Sequence, residues 1–379
     1  MNSKPQQKGT PRSNINFPKP REWPGQKYWI LLITTIILLI SFTASFFVFL
    51  LTETDGYSSS KGTSSSNYVD QIYNQKPTEK ATTDAKEKST VASTVPSMTN
   101  YIATTSSFVN QIGGFIKSNN SILVEIGSSS CTSIAEKDAD VMIYPASMTK
   151  VMSLLVACEN LTDTSTKLTV NKKNVQYMTD NGGSGYGLYA GETLTVKDLL
   201  YLTSYQSDTV AILTLAEHIA GSEENFVSLM NDKARALGLT KTHFANSTGL
   251  HNDQNYTTCR EMAAIMTYAL DNPLCNELLT SYTGYSLVTN MRAAEDKCVF
   301  YSGWYSYRFG DNPKLETVTV MGGKTGYTDE SGVCLVSYAV SRTTGKKYVN
   351  VIVGQPKGSG LDEQKSTAEV KEIYNRYVE

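Results

Sequence analysis

The chain has 379 residues, 40% of them hydrophobic and 18% charged, with 34 basic against 36 acidic side chains and a formal net charge of −2. That length suits two compact domains or one large domain with appendages, and the near-neutral balance lacks the basic excess that nucleic-acid binding needs. The three histidines, His218, His243 and His251, form neither H-x-x-x-H nor H-E-x-x-H, and the six cysteines contain no C-x-x-C pair, which argues against histidine-rich and ribbon-type metal sites.

Residues 1–28 are polar and cationic, with Lys4, Lys8, Arg12, Lys19, Arg21 and Lys27 against Glu22. Trp29 to Leu51 then runs without a charge, long enough to cross a bilayer as a helix. Tyr28 and Trp29 sit where an interfacial aromatic belt belongs, and the cationic flank predicts a cytoplasmic N-terminus. A cleaved signal peptide is the rival reading, with Thr43-Ala44-Ser45 as its cleavage neighbourhood; the apolar run continues past those residues, which favours an uncleaved anchor. Residues 52–100 are rich in Ser, Thr, Lys and Gln and read as a flexible stalk, because so few apolar side chains cannot repay the entropy of ordering. The expected organisation is a cytoplasmic tail (1–28), a transmembrane helix (29–51), a stalk (52–100) and an extracytoplasmic folded domain (101–379).

Within the folded domain, Ser121 to Ile126 reads as a strand and Met148 to Leu161 as a helix. Thr195 with Asp198 forms a capping-box pattern ahead of a helix from Val196. Val210 to Ala220 reads as a buried helix closed by Gly221, and Ser222 caps another that ends at Gly238. Thr258 to Leu270 is a further helix. Strands are expected over Thr317–Met321, Gly332–Arg342 and Lys347–Gly354, the last two joined by a hairpin at Thr343-Thr344-Gly345. Asp362 to Tyr377 closes the chain as an amphipathic helix. Strands at both ends with helices between them predict an α+β domain with a helical insertion. Single cysteines in apolar runs, such as Cys158 and Cys334, read as core packing; one or two disulfides stay open for a domain in an oxidising compartment.

Three short segments carry chemistry. In Tyr144-Pro145-Ala146-Ser147-Met148-Thr149-Lys150, Pro145 places a helix start just ahead of Ser147, and Lys150 lies one turn on, on the same face. A serine needs a base to take its proton, and a lysine becomes that base when burial or a neighbouring cation lowers its pKa. The bland alternative is a surface pair on a helix. Ser207-Asp208-Thr209 lies at a helix junction, where Ser207 could relay a proton; by itself the triplet reads more simply as a helix cap. Gly322-Gly323-Lys324-Thr325-Gly326-Tyr327 follows a β-rich run. A strand-edge Lys324 offers a fixed cation to a carboxylate, Thr325 adds a hydroxyl, and the glycines admit a peptide backbone at close range. Its bland alternative is a glycine-rich turn.

The ordered set S-x-x-K, S-x-x, K-T-G resembles the signature of the penicillin-recognising serine enzymes. The segments IYPASMTKVM, DLLYLTSYQSDTVAILTLAEHIAGSEENFV, MNDKARALGLTKTHFANSTGLH and GGKTGYT extend the likeness over roughly residues 118–356, most closely to the low-molecular-weight D-alanyl-D-alanine carboxypeptidases. The resemblance implies a β-lactamase/transpeptidase-like α+β fold, an antiparallel sheet flanked by helices with an all-helical subdomain. It implies that Ser147 is acylated, that Lys150 is its general base, and that Ser207 shuttles the proton. Lys324, Thr325 and Gly326, with Thr209, would bind substrate, and the backbone N–H groups of Ser147 and Tyr327 would form the oxyanion hole. No cofactor or metal is called for. The partners would be a peptidoglycan stem peptide ending in D-Ala-D-Ala, β-lactams as covalent inhibitors, and the plasma membrane through the N-terminal helix. Thr209 departs from the family's usual asparagine, which leaves substrate contacts and rate open. The alternatives are an endopeptidase or β-lactamase of the same fold, or a binding module without turnover. HFANSTGLH lacks the acid that class A β-lactamases use for deacylation, so slow release of penicillin is expected. His218 reads as structural, and His251 as a loop residue near the cleft without a catalytic part.

Overall fold

The computed structural model describes residues 98–281, 283–292, 298–300, 309, 314–356 and 362–379. The tail 1–28, the apolar segment 29–51 and nearly all of the stalk lie outside the described residues. Among the described residues no helix is long and apolar enough to cross a membrane.

A six-stranded sheet organises the domain. Its strands are β1 (Thr104–Gln111), β2 (Asn120–Ile126), β3 (Cys131–Lys137), β8 (Val318–Thr328), β9 (Gly332–Ser341) and β10 (Lys347–Gln355), in the spatial order β1-β3-β2-β10-β9-β8. Five of these pair antiparallel, but β1 joins β3 in parallel, so the sheet is mixed where an antiparallel one was expected. The reason is legible in β1 itself: TTSSFVNQ is exposed along almost its whole length and offers no apolar alternation to read. Two short ladders, β4 (Lys167–Thr169) with β5 (Thr193–Thr195) and β6 (Tyr285–Leu287) with β7 (Cys298–Phe300), lie outside the sheet.

Alternation along the central strands divides the core in two. Val349, Val351 and Val353 of β10 face the helical layer, whereas Tyr348 and Ile352 face the other way. On that second face lie Val370, Ile373 and Tyr374 of the C-terminal helix α8 (Asp362–Tyr377). Seven helices intervene between β3 and β8: α1 (Thr149–Asn160), α2 (Lys172–Asp180), α3 (Val196–Tyr205), α4 (Thr209–Ala220), α5 (Glu223–Ala236), α6 (Cys259–Asp271) and α7 (Pro273–Thr280). Helix α1 is central to them. Thr149 to Cys158 are all buried, as expected of a helix covered on every side.

The helix boundaries follow local chemistry. Thr195 and Asp198 form the reciprocal capping box ahead of α3, Ser222 caps α5 by accepting from Asn225 N, and Gly221 ends α4 in the left-handed conformation at φ +79°. Helices α2 and α7 went unread because they are short and follow Asn caps in polar surroundings. Cys131, Cys158, Cys259, Cys275 and Cys334 are buried free thiols, and the side chain of Cys298 lies outside the described residues.

Arg260 of α6 fastens the helical layer to the sheet. It is 8% exposed, and its guanidinium makes a two-pronged contact with Asp140 at 2.9 Å on each side. It also pairs with Glu136 of β3 at 2.8 Å and donates to Ala103 O at 3.1 Å. Removing one partner of such a network strands the others. Arg260→Met should therefore lower unfolding free energy by about 3 kcal/mol, read as a reduced midpoint in urea denaturation with an unchanged slope.

Candidate active site

Ser147 sits in a 3₁₀ turn, Ala146–Met148, that leads directly into α1. Its backbone is unusual just upstream: Ala146 has φ +46°, a conformation that costs a non-glycine residue free energy and persists only where the surroundings enforce it. The turn leaves Ser147 partly exposed at the positive end of the most buried helix.

Lys150, three residues on, is 1% exposed. Its Nζ stands 3.3 Å from Ser147 Oγ and donates to Thr248 O at 2.5 Å. Burial pushes the amine down to about 7, against the opposing pull of the Asp208 carboxylate. Near neutrality much of Lys150 is therefore unprotonated, with a lone pair facing a hydroxyl. The Thr248 carbonyl that orients it belongs to a firmly held loop. Glu223 accepts from Ser247 N and Oγ at 3.0 and 2.8 Å, and Asn246 accepts from Gly249 N at 2.7 Å. Gly249, at φ +77°, lies so close beneath the nucleophile turn that a Cβ there would stand 2.1 Å from Ala146 O.

Ser207 joins α3 to α4 and is itself at φ +54°. Its neighbour Asp208 caps α4, accepting from Ala211 N at 2.8 Å. The other carboxylate oxygen accepts from Tyr186 N at 2.7 Å. Both readings of the triplet are thus realised by adjacent residues: Asp208 is the cap, and Ser207 faces the third motif. Burial raises the Asp208 carboxyl, while the Tyr186 and Ala211 N–H groups and the nearby Lys150 hold it down.

The third motif lies within β8, at the sheet's edge, and the strand is longer than the sequence pattern indicated because it continues through the glycines to Thr328. Lys324 is 2% exposed, and its Nζ donates to Ser207 Oγ and Thr325 O, both at 3.0 Å. Thr325 is partly exposed beside it. Gly326 serves a different purpose from the one expected. A Cβ there would lie 3.0 Å from Ser147 N and 3.1 Å from Ala146 Cβ, so the missing side chain lets the strand meet the nucleophile's own turn. Gly322 does the same against α7, where a Cβ would meet Leu279 O at 2.2 Å.

The structure therefore assembles Ser147, Lys150, Ser207, Lys324, Thr325, Gly326 and Tyr327 from one helix start, one helix junction and one edge strand. Thr209 differs. It is 1% exposed and its hydroxyl has no hydrogen-bond partner; a Cβ on Gly183 would lie 2.8 Å from that oxygen. The side chain is tucked under the 181–187 loop, and a buried hydroxyl there is not on the cleft surface where a substrate contact was expected. His218 is exposed in the last turn of α4, not packed in the core. His251 stacks edge-on with Tyr144, ring centroids 4.9 Å apart, beside Asp253 and Glu330. Sequence reasoning missed Thr248, whose contribution is a backbone carbonyl and has no side-chain signature; Gly249 alone marked the tight approach. Among the described residues no group of three or more His, Cys, Asp or Glu side chains is placed to hold a metal.

The same fold occurs in the Streptomyces K15 DD-transpeptidase, with a TM-score of 0.57 at 24% identity over 70% of this chain and 99% of that one. It occurs again in penicillin-binding protein 5 of Haemophilus influenzae, with a TM-score of 0.58 at 23% identity over 69% and 72%. The fold is thus that of the penicillin-recognising proteins. The D-alanyl-D-alanine carboxypeptidase family matches residues 103–357, and the chain belongs to that family. Similar curated proteins include the D-alanyl-D-alanine carboxypeptidases DacF of Bacillus subtilis (strain 168), 35% identical over 54% of this chain and 49% of that protein, and DacA of Escherichia coli (strain K12), 31% identical over 58% and 52%. The chain spans about half the length of these curated relatives.

Burying Lys150 has a thermodynamic consequence. Its folded value near 7 lies below the ordinary 10.5, so the unfolded chain binds more protons and stability rises with pH between the two values. At pH 7 the cost is about 4 kcal/mol, only partly recovered through the bond to Thr248. Lys150→Met should unfold at a higher temperature than the parent, by about 2 kcal/mol in stability at pH 7, and the difference should narrow at pH 9. A calorimetric melt at both pH values checks this.

Proposed function

We propose that this protein is a serine D-Ala-D-Ala carboxypeptidase that removes the terminal D-alanine of peptidoglycan stem peptides through an acyl-serine intermediate. The observation that carries this reading is the buried, deprotonatable Lys150 amine at 3.3 Å from Ser147 Oγ. Unprotonated Lys150 takes the Ser147 proton as Oγ attacks the carbonyl of the penultimate D-alanine. The N–H groups of Ser147 and Tyr327 receive the developing oxyanion. Lys324 and Thr325 hold the substrate's terminal carboxylate, which fixes the scissile bond over the nucleophile. Ser207, whose Oγ lies beside the Lys324 ammonium, passes a proton to the departing D-alanine amine. Water then hydrolyses the acyl-enzyme, with Lys150 as base again. Family membership supports this reaction, and the fold supports β-lactams as covalent inhibitors. Thr209 lies behind the wall of the cleft, so its departure from asparagine removes an amide contact to substrate rather than disabling the nucleophile.

Fluorescent penicillin should label Ser147 covalently, as a mass increment on the peptide that contains it, and Ser147→Ala should abolish labelling. A peptide ending in D-Ala-D-Ala should release free D-alanine. Because acylation needs neutral Lys150, its rate should fall about tenfold per pH unit below 7 and level off above. Stable labelling without D-alanine release would favour a binding module, digestion of cross-linked muropeptides an endopeptidase, and rapid nitrocefin turnover a β-lactamase.

The cationic 1–28 segment and the uncharged run to Leu51 support a single-pass anchor at the plasma membrane, with the catalytic domain outside the cell. Protease added to intact cells should cut within 52–100 and release an active soluble domain. Complete protection would reverse this orientation.

A further inference from the structure

The reacting groups lie along one strand, and the strand has electrical polarity. On β8 the Lys324 ammonium stands at one end of the cleft. Beyond Tyr327 the strand runs into the turn that carries Asp329 and Glu330, both exposed. Asp253 approaches from the neighbouring loop: Tyr144 Oη donates to it at 3.3 Å, and His251 lies 3.5 Å from Asp253 and 3.6 Å from Glu330. Tyr327 Oη donates to Asp329. These groups border a cavity of about 440 Å³ lined by Tyr144, Tyr327, Asp329 and Glu330, and by Gln355 at its floor. Among its described lining residues there is no lysine or arginine.

Gln355 supplies an independent observation. It is 2% exposed, and its Oε1 has no hydrogen-bond partner. Alternation along β10 puts its side chain on the face of Val353, the face that this cavity occupies. A buried carbonyl oxygen without a donor is costly, and a donor entering the cavity would relieve it. The site therefore presents carboxylates and an unsatisfied acceptor, the complement of an ammonium group.

The direction of the substrate follows from the proposed reaction, on which this inference rests. With the terminal carboxylate at Lys324 and Thr325 and the reacting carbonyl at the Tyr327 amide, the peptide runs antiparallel to β8. At about 3.3 Å per residue, the residue preceding the two D-alanines lies level with Asp329 and Glu330. We infer that the cavity bordered by Asp329, Glu330, Asp253 and Gln355 is a specificity subsite for a primary ammonium on the side chain of that preceding residue. The enzyme accordingly selects stem peptides whose diamino acid is unlinked, since a cross-link converts that amine to a neutral, bulky amide.

Two peptides differing only at that amine test the assignment: Nα-acetyl-L-Lys-D-Ala-D-Ala and its Nε-acetylated form. The free-amine peptide should show a kcat/KM at least about tenfold higher, a margin suited to a charge pair at a partly screened site. The ratio should shrink with added salt. In the double variant Asp329→Asn, Glu330→Gln it should fall toward one, and the Gln355→Met variant should lower it in part. Equal rates for both peptides in the parent protein would overturn the subsite while leaving the carboxypeptidase reading intact. No D-alanine from either peptide would overturn that reading instead. The preference is then read from competition of the two peptides against penicillin labelling, where equal competition overturns the subsite and stronger competition by the free amine upholds it.

Discussion

The burial of one amine organises this active site. Lys150 lies within the most enclosed helix of the domain, and its environment withholds the solvation that an ammonium needs. The same desolvation that destabilises the charged form makes the amine a base beside Ser147. Much of the surrounding architecture serves that arrangement. Glu223 and Asn246 hold the 246–249 loop so that Thr248 O can orient the amine, and Gly249 lets the loop approach the nucleophile's turn. Asp208 limits how far the pKa falls. Stability is given up at this point, as is usual where function demands an unfavourable environment.

The second constraint is backbone proximity. Ala146 and Ser207 both adopt positive φ without being glycine, and both stand at the junctions where elements converge on the cleft. Gly326 and Gly322 bring β8 against the Ser147 turn on one side and α7 on the other. Strand, turn and helix thus touch through their main chains, and a single added methyl group at Gly326 or Gly249 would separate them. Distances of about 3 Å between hydroxyls and amines follow from this contact. Ser207 Oγ lies between the second and third motifs because α4 begins there, capped by the very next residue.

A peptide laid on the edge of β8 meets a cation first and carboxylates last. The strand therefore reads a charge pattern as well as a backbone, with the reacting serine between the two ends. Recognition of this kind lets one scaffold discriminate among peptides that share the same terminal pair, because selectivity resides in a turn that the chemistry itself does not use.

Much was legible in the linear chain, and for physical reasons. Thr195 with Asp198, Ser222 and Gly221 marked helix ends, since capping is settled by residues three or four apart. Ser147 and Lys150 were recognisable as partners because one helical turn brings them together. The strands Asn120–Ile126, Gly332–Ser341 and Lys347–Gln355 were apparent from their β-branched runs. Strand β1 was not, being polar on both faces, and only its pairing with β3 makes it a strand. Tertiary structure alone decided that Lys150 is dry, that Thr209 faces inward beneath Gly183, and that Gly326 makes room for the protein's own backbone. Residues distant in the chain, Thr248, Asp208 and Lys324 among them, determine each of these outcomes. Burial and long-range contact are properties of the packed chain, whereas caps, periodicity and one-turn spacing are properties of neighbours.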